Sequence, residues 1–152
     1  MPRPEKTPIT PTEMRVCANL LQAFLESGLS IDEAAINAGV TCKTFQKYLK
    51  AESRPKLDKL FAICSKLDWP FDAILGLPHN LPRKPYGRNA AERIQTLLLE
   101  EDESFAQMGA KTKVSSDRVR IYTKGKIKPP LEFMIRLCRA YGVSAKYMME
   151  ER

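Results

Sequence analysis

The stretch Gly39-Val-Thr-Cys-Lys-Thr-Phe-Gln-Lys-Tyr-Leu-Lys-Ala-Glu-Ser-Arg-Pro55 has a counterpart later in the same chain, Val114-Ser-Ser-Asp-Arg-Val-Arg-Ile-Tyr-Thr-Lys-Gly-Lys-Ile-Lys-Pro129. A shift of 74 residues lays one on the other without a gap: Val40 falls on Val114, Tyr48 on Tyr122 and Pro55 on Pro129. The register extends outward, with Ser30 on Ser104, Leu57 on Leu131 and Cys64 on Cys138. It runs from the pair Leu20 and Ile94 to the pair Ile74 and Met148. The matches fall on apolar and boundary positions, the ones a shared fold has to keep.

Each copy reads as five helices. In the first, Val16, Leu20, Leu21 and Phe24 make an inward stripe that Gly28 stops. Ser30 is an N-cap with Glu33 three residues on, opening a short helix whose Ala34, Ala35 and Ala38 face in. Gly39 supplies a left-handed turn, and Thr41 caps a third helix burying Phe45, Tyr48 and Leu49. Pro55 opens a fourth with Leu57, Leu60, Phe61, Ile63, Cys64 and Leu67 inward. Phe71, Ile74 and Leu75 make the last turn before Gly76.

The second copy repeats the plan. Ile94, Leu97 and Leu98 belong to its first helix. Ser104 and Ser115 cap the second and third, which bury Met108, Gly109, Val119 and Tyr122. Pro129 and Pro130 open the fourth, with Leu131, Met134, Leu137 and Cys138 inward, and Val143, Tyr147 and Met148 close the bundle. No useful stretch alternates as a strand does, so the class is all-α. The divisions are a basic arm at 1–11, a first domain at 12–76, a proline-rich basic linker at 77–88 and a second domain at 89–152. Three prolines predict an extended linker of about 3.1 Å per residue, long enough at roughly 37 Å to separate two binding units.

Both quoted stretches resemble the core of the XRE family, the lambda-repressor and Cro-like helix-turn-helix proteins, and the two copies cover nearly the whole chain. The resemblance implies two tandem five-helix lambda-repressor-like domains, each inserting its third helix into the major groove of double-stranded DNA. In the first copy it implies contacts from Thr41, Cys42, Lys43, Thr44, Gln46 and Lys47, with Cys42, Lys43 and Lys47 reading bases. Lys50 and Arg54 would hold phosphates. The matching positions of the second copy are Ser115, Ser116, Asp117, Arg118, Arg120 and Ile121, followed by Lys124, Lys126 and Lys128 on phosphates. Helix N-termini at Ser30 and Ser104 could add backbone amides. Three departures stand out: Lys113 replaces the turn glycine Gly39, Gly109 replaces Ala35, and Ala51 occupies the position of Gly125. The first two predict a second motif that is locally looser or set at a slightly shifted angle.

The formal net charge of +7 favours a polyanionic partner. It is unevenly placed: residues 12–76 balance, while 77–88 and 89–152 each carry +3. Seven basic residues and one acid lie between Lys111 and Lys128. The four cysteines form no C-x-x-C pair and the only histidine is His79, so neither a zinc site nor acid–base or nucleophilic chemistry has candidates. The expectation is therefore no enzyme, no cofactor and no small-molecule ligand. Cys42, opening a third helix, is the one thiol whose pKa a helix N-terminus would lower. Without a leader-like or membrane-spanning apolar run, the cytoplasm and its nucleoid are the default location.

The function these features predict is a sequence-specific transcription regulator, a repressor of phage, plasmid or mobile-element type. The alternative is a helix-turn-helix interaction module (antitoxin, adaptor or inhibitor) in which only one copy reads DNA. Two half-sites could be met by a homodimer or by one chain acting as a covalent pseudo-dimer.

Overall fold

The computed structural model describes residues 8–151, so the expected arm residues Arg3 and Lys6 lie outside the described residues. Ten helices and no strand are present among the described residues. They are α1 (Pro11–Ser27), α2 (Ile31–Ala38), α3 (Cys42–Leu49), α4 (Leu57–Leu67), α5 (Phe71–Ile74), α6 (Ala90–Glu100), α7 (Phe105–Thr112), α8 (Ser116–Thr123), α9 (Leu131–Tyr141) and α10 (Ala145–Met149). The bounds of α2, α3 and α4 recur 74 residues later in α7, α8 and α9, so the sequence register is also a register of helices.

Local chemistry explains where most helices start. Thr10, Ser30 and Ser104 each accept from the amide of the third helical residue, whose own side chain, Glu13, Glu33 or Gln107, bonds back. Such boxes satisfy two amides that would otherwise lack partners, and each cap contributes about 1 kcal/mol. Thr41 and Ser115 cap α3 and α8 by the same side-chain contact. The prolines act one step earlier than expected. Pro55 precedes the N-cap Lys56, and Pro130 is itself the N-cap of α9.

Termination uses the left-handed region. Gly28 and Gly39 adopt it at φ 73° and 74°. Lys113 and Ala51 adopt it too, at φ 60° and 56°, although each carries a Cβ. At Ala51 the backbone closes both bonds of a left-handed helix cap, Glu52 N to Lys47 O at 2.8 Å and Ala51 N to Tyr48 O at 3.2 Å. The cap geometry is therefore imposed on a residue that disfavours it by about 1–2 kcal/mol. Ala51→Gly relieves that strain and loosens the unfolded chain, a partial offset of about 0.5–1 kcal/mol. The net expectation is a rise in melting temperature of about 2 °C, read by thermal unfolding. A fall would show the left-handed cap is not formed.

The buried apolar residues make one cluster that includes side chains from both halves. Phe45 is fully buried, with Phe24 edge-on at 5.8 Å and Trp69 tilted at 6.2 Å. Full burial of the Phe45 side chain contributes about 1.5–3 kcal/mol. Four inward expectations shift. Leu21 is exposed, while Phe24, Phe61 and Leu67 are only half-buried. The inner stripe of α1 runs instead through Val16, Cys17 and Leu20, because the axis of α1 meets α3, α5 and α9 on that side.

The linker departs most from expectation. It is packed down, with Leu77, Pro85 and Gly87 buried. Pro82 O accepts from Ser144 N at 3.1 Å, and Arg83 pairs with Glu150 at 2.7 Å while stacking over Tyr147. Burial of Leu77, Pro85 and Gly87, with these contacts to the α10 segment, makes it a strap and not a spacer.

A buried arginine anchors the strap. Arg93 on α6 has no exposure. Its Nε donates to Gly87 O at 3.1 Å, and Nη1 donates to the carbonyls of Tyr147, at 2.6 Å, Met148, at 3.0 Å, and Glu150. These are carbonyls at the C-terminal end of α10, where a cation also complements the helix dipole.

Candidate nucleic-acid interface

α3 and α8 each present one apolar face inward and one polar face outward. Phe45, Tyr48 and Leu49 bury one side of α3, and Val119, Tyr122 and Thr123 bury one side of α8. Opposite them, Thr41, Lys43, Gln46, Lys47 and Lys50 are exposed in the first half. Ser115, Ser116, Asp117, Arg118, Arg120, Lys124, Lys126 and Lys128 are exposed in the second. Cys42, Thr44 and Ile121 are half-buried. The residues named from sequence therefore lie together on the two outer faces and in the loops that follow them.

Their electrostatics differ. Among the described residues Lys43, Lys47, Lys50, Arg118, Lys124 and Lys126 form no ion pair. Cations in this state keep their charge available for a polyanion. Arg120 has only a loose contact with Asp117, at 3.7 Å. Arg54, by contrast, is held by Glu13 at 2.8 Å and donates to Pro8 O at 2.8 Å. Lys128 lies 3.5 Å from Asp58. Lys111, counted in the basic cluster, is drawn away to Glu103 at 2.5 Å and stacks over Tyr141. The outer faces of α3 and α8 and the turns after them thus carry cations without an ion pair among the described residues.

The approach of the paired helices also differs between halves. A Cβ on Gly109 would lie 2.6 Å from Val114 O and 3.3 Å from Ser115 C. That corrects the expected looseness. Absence of a side chain lets the backbone before α8 come nearer to α7 than a Cβ would permit.

Cys42 is a second correction. Its thiol donates to Asp32 Oδ1 at 2.8 Å. The Asp32 hydrogen bond pushes the thiol pKa up, with desolvation and the charge of Asp32 adding to it, against a lowering by its own backbone amide. The hydrogen bond to Asp32 therefore outweighs the lowering expected from the N-terminus of α3. Burial pushes Cys17 up to about 11 and Cys64 up to about 12, and raises Cys138 as well. All four are free thiols, three of them buried.

Between the halves runs a groove of about 600 Å³. The segment 54–58 lines it on one side and the segment 128–132 on the other. Tyr48 and Tyr122 are buried, and Trp69 leans on Phe45, so these rings serve the core. Among the described residues no group of His, Cys, Asp and Glu is arranged to hold a metal, and no helix is long and apolar enough to cross a membrane. Sequence reasoning missed Arg93 and the pairing of Lys111, since nothing in their neighbouring residues signals those partners. No family model matches this chain, and no curated protein or solved structure does either.

Proposed function

We propose that this protein binds double-stranded DNA in a sequence-specific manner, using the outer faces of α3 and α8 as major-groove readers, and that it acts as a transcription regulator of the repressor type. The observation that carries this reading is the pair of short capped helices in the same register, each with an unburied polar face carrying unpaired cations. An α-helix fits the major groove, and lysine, arginine and glutamine are the side chains whose donors match guanine and adenine edges there. The resemblance of the two quoted stretches to XRE-family proteins points the same way.

Selection of bound sequences from a random duplex pool tests the reading. Enrichment of a defined sequence is expected, and recovery of the pool unchanged would defeat it. Two substitutions then separate roles on the enriched sequence. Arg120→Ala should cost about 1–3 kcal/mol of specific binding while leaving random DNA nearly unaffected. Lys126→Ala should weaken all sequences alike and reduce the salt slope by about one unit. Equal losses on specific and random DNA for Arg120→Ala would make it a phosphate contact.

A further inference from the structure

We infer that the two halves meet about an internal two-fold axis, so that one chain by itself reads a site of two unlike half-sites in inverted orientation. The half-site part rests on the DNA reading above; the axis does not.

The geometry distinguishes a two-fold from a head-to-tail arrangement. In head-to-tail packing each copy offers a different surface to the next, and equivalent residues stay apart. About a two-fold axis, residues on the axis meet their own equivalents. Here α5 packs on α10, its counterpart under the 74-residue shift. Lys146 N donates to Asp72 Oδ1 at 2.9 Å, and these two positions are 74 apart. The groove is lined by Arg54, Pro55 and Leu57 and by their equivalents Lys128, Pro129 and Leu131.

Off the axis the two sides of the groove are tied by different contacts. Lys128 lies 3.5 Å from Asp58. At the equivalent positions, Arg54 pairs with Glu13 and Thr10 donates to Glu132, so the start of α1 lies between Arg54 and Glu132. α10 touches α4, and Asp72 on α5 is close enough to Cys138 on α9 to raise its thiol pKa. The strap between Leu77 and Arg88 reaches this arrangement without a second chain.

The consequence concerns what is read. The segments facing each other across the axis directly follow α3 and α8, so those helices flank it. A two-fold in the protein is mirrored as inverted half-sites in the duplex. The half-sites are unlike because the readers are unlike: Lys43, Gln46 and Lys47 stand where the other half has Asp117, Arg120 and Ile121. The α5 and α10 surfaces are already used within the chain, so a second copy is not needed to supply the other half-site.

Two measurements test this on the full chain. The first uses no DNA. Zero-length carbodiimide coupling, applied to a mixture of isotope-labelled and unlabelled chains, is read by mass spectrometry. The pair Lys111–Glu103 within the second half serves as the positive control. Coupling of Lys128 to Asp58 within one chain is expected. A control that couples while Lys128–Asp58 does not, or couples only between chains, overturns the axis. The second uses the enriched duplex. One chain per duplex is expected, on two different elements in inverted order. Inserting half a helical turn between the elements should lower affinity about 100-fold, since the second contact is then lost. Lys43→Ala with Lys47→Ala should erase preference in one element, and Arg118→Ala with Arg120→Ala in the other. Two chains on a perfect palindrome, or indifference to the insertion, would overturn the half-site inference while leaving base reading intact. A pool without enrichment would overturn the half-site inference together with the proposed function, and the coupling result would still decide the axis.

Discussion

Arg93→Ala is expected to lower the unfolding free energy by about 3–5 kcal/mol, the largest single-residue loss in this chain. Arg93 is the largest fully buried side chain among the described residues. Its guanidinium satisfies the carbonyls of Gly87, Tyr147, Met148 and Glu150 and lies 4.4 Å from the centre of the Tyr147 ring. Truncation removes the guanidinium donors from the Gly87 and Met148 carbonyls, each loss costing about 1–3 kcal/mol, while Tyr147 O keeps the Glu150 amide, and it opens a cavity besides. Against a total stability of about 5–15 kcal/mol this is a large fraction. Urea unfolding followed by circular dichroism measures it. Arg93→Lys should restore only part, because an ammonium reaches fewer of the four carbonyls. A loss under about 1 kcal/mol for Arg93→Ala would mean that the guanidinium is not holding the strap to α10.

Gly109→Ala is expected to destabilise by about 1–3 kcal/mol, where the same change in an ordinary helix would stabilise by about 1 kcal/mol. The reversal of sign is what makes the test informative. The added methyl meets backbone, Val114 O at 2.6 Å and Ser116 N at 3.4 Å, and backbone cannot rotate aside. The strain relaxes only if α8 moves away from α7, which displaces the outer face carrying Arg118 and Arg120. If α8 reads DNA, the ratio of specific to random affinity should therefore fall about tenfold, measured by fluorescence anisotropy on both duplexes. A stabilised protein with unchanged discrimination would show that α7 and α8 are not in close contact at this point.

These two residues mark the limits of reading the chain from its letters. Arg93 looks like an ordinary surface cation on an amphipathic helix. Three of its four carbonyl partners lie 54 to 57 positions away in sequence, and only the return of α10 brings them to it. Gly109 looked like a loosening of the second motif. The sign of its effect depends on how near Val114 O approaches, a distance no pattern of residues reports. The same holds for Lys111, whose acid at Glu103 and ring at Tyr141 come from separate elements. Cys42 was misjudged because the capped end of α3 is local, whereas Asp32 reaches it from α2.

The ten helices, their caps at Thr41, Ser104 and Ser115, the left-handed turn at Gly39 and the 74-residue register were determined by the sequence alone. The helices, caps and turn depend on hydrogen bonds and side-chain spacing within about four residues, and the register is the repetition of that local pattern. Tertiary structure alone decided that the proline-rich strap packs down, that α5 meets α10, and that the segments after α3 and α8 face each other. Those outcomes depend on which surfaces lose water together, and on carbonyls, carboxylates and rings that become neighbours only after the chain has closed on itself.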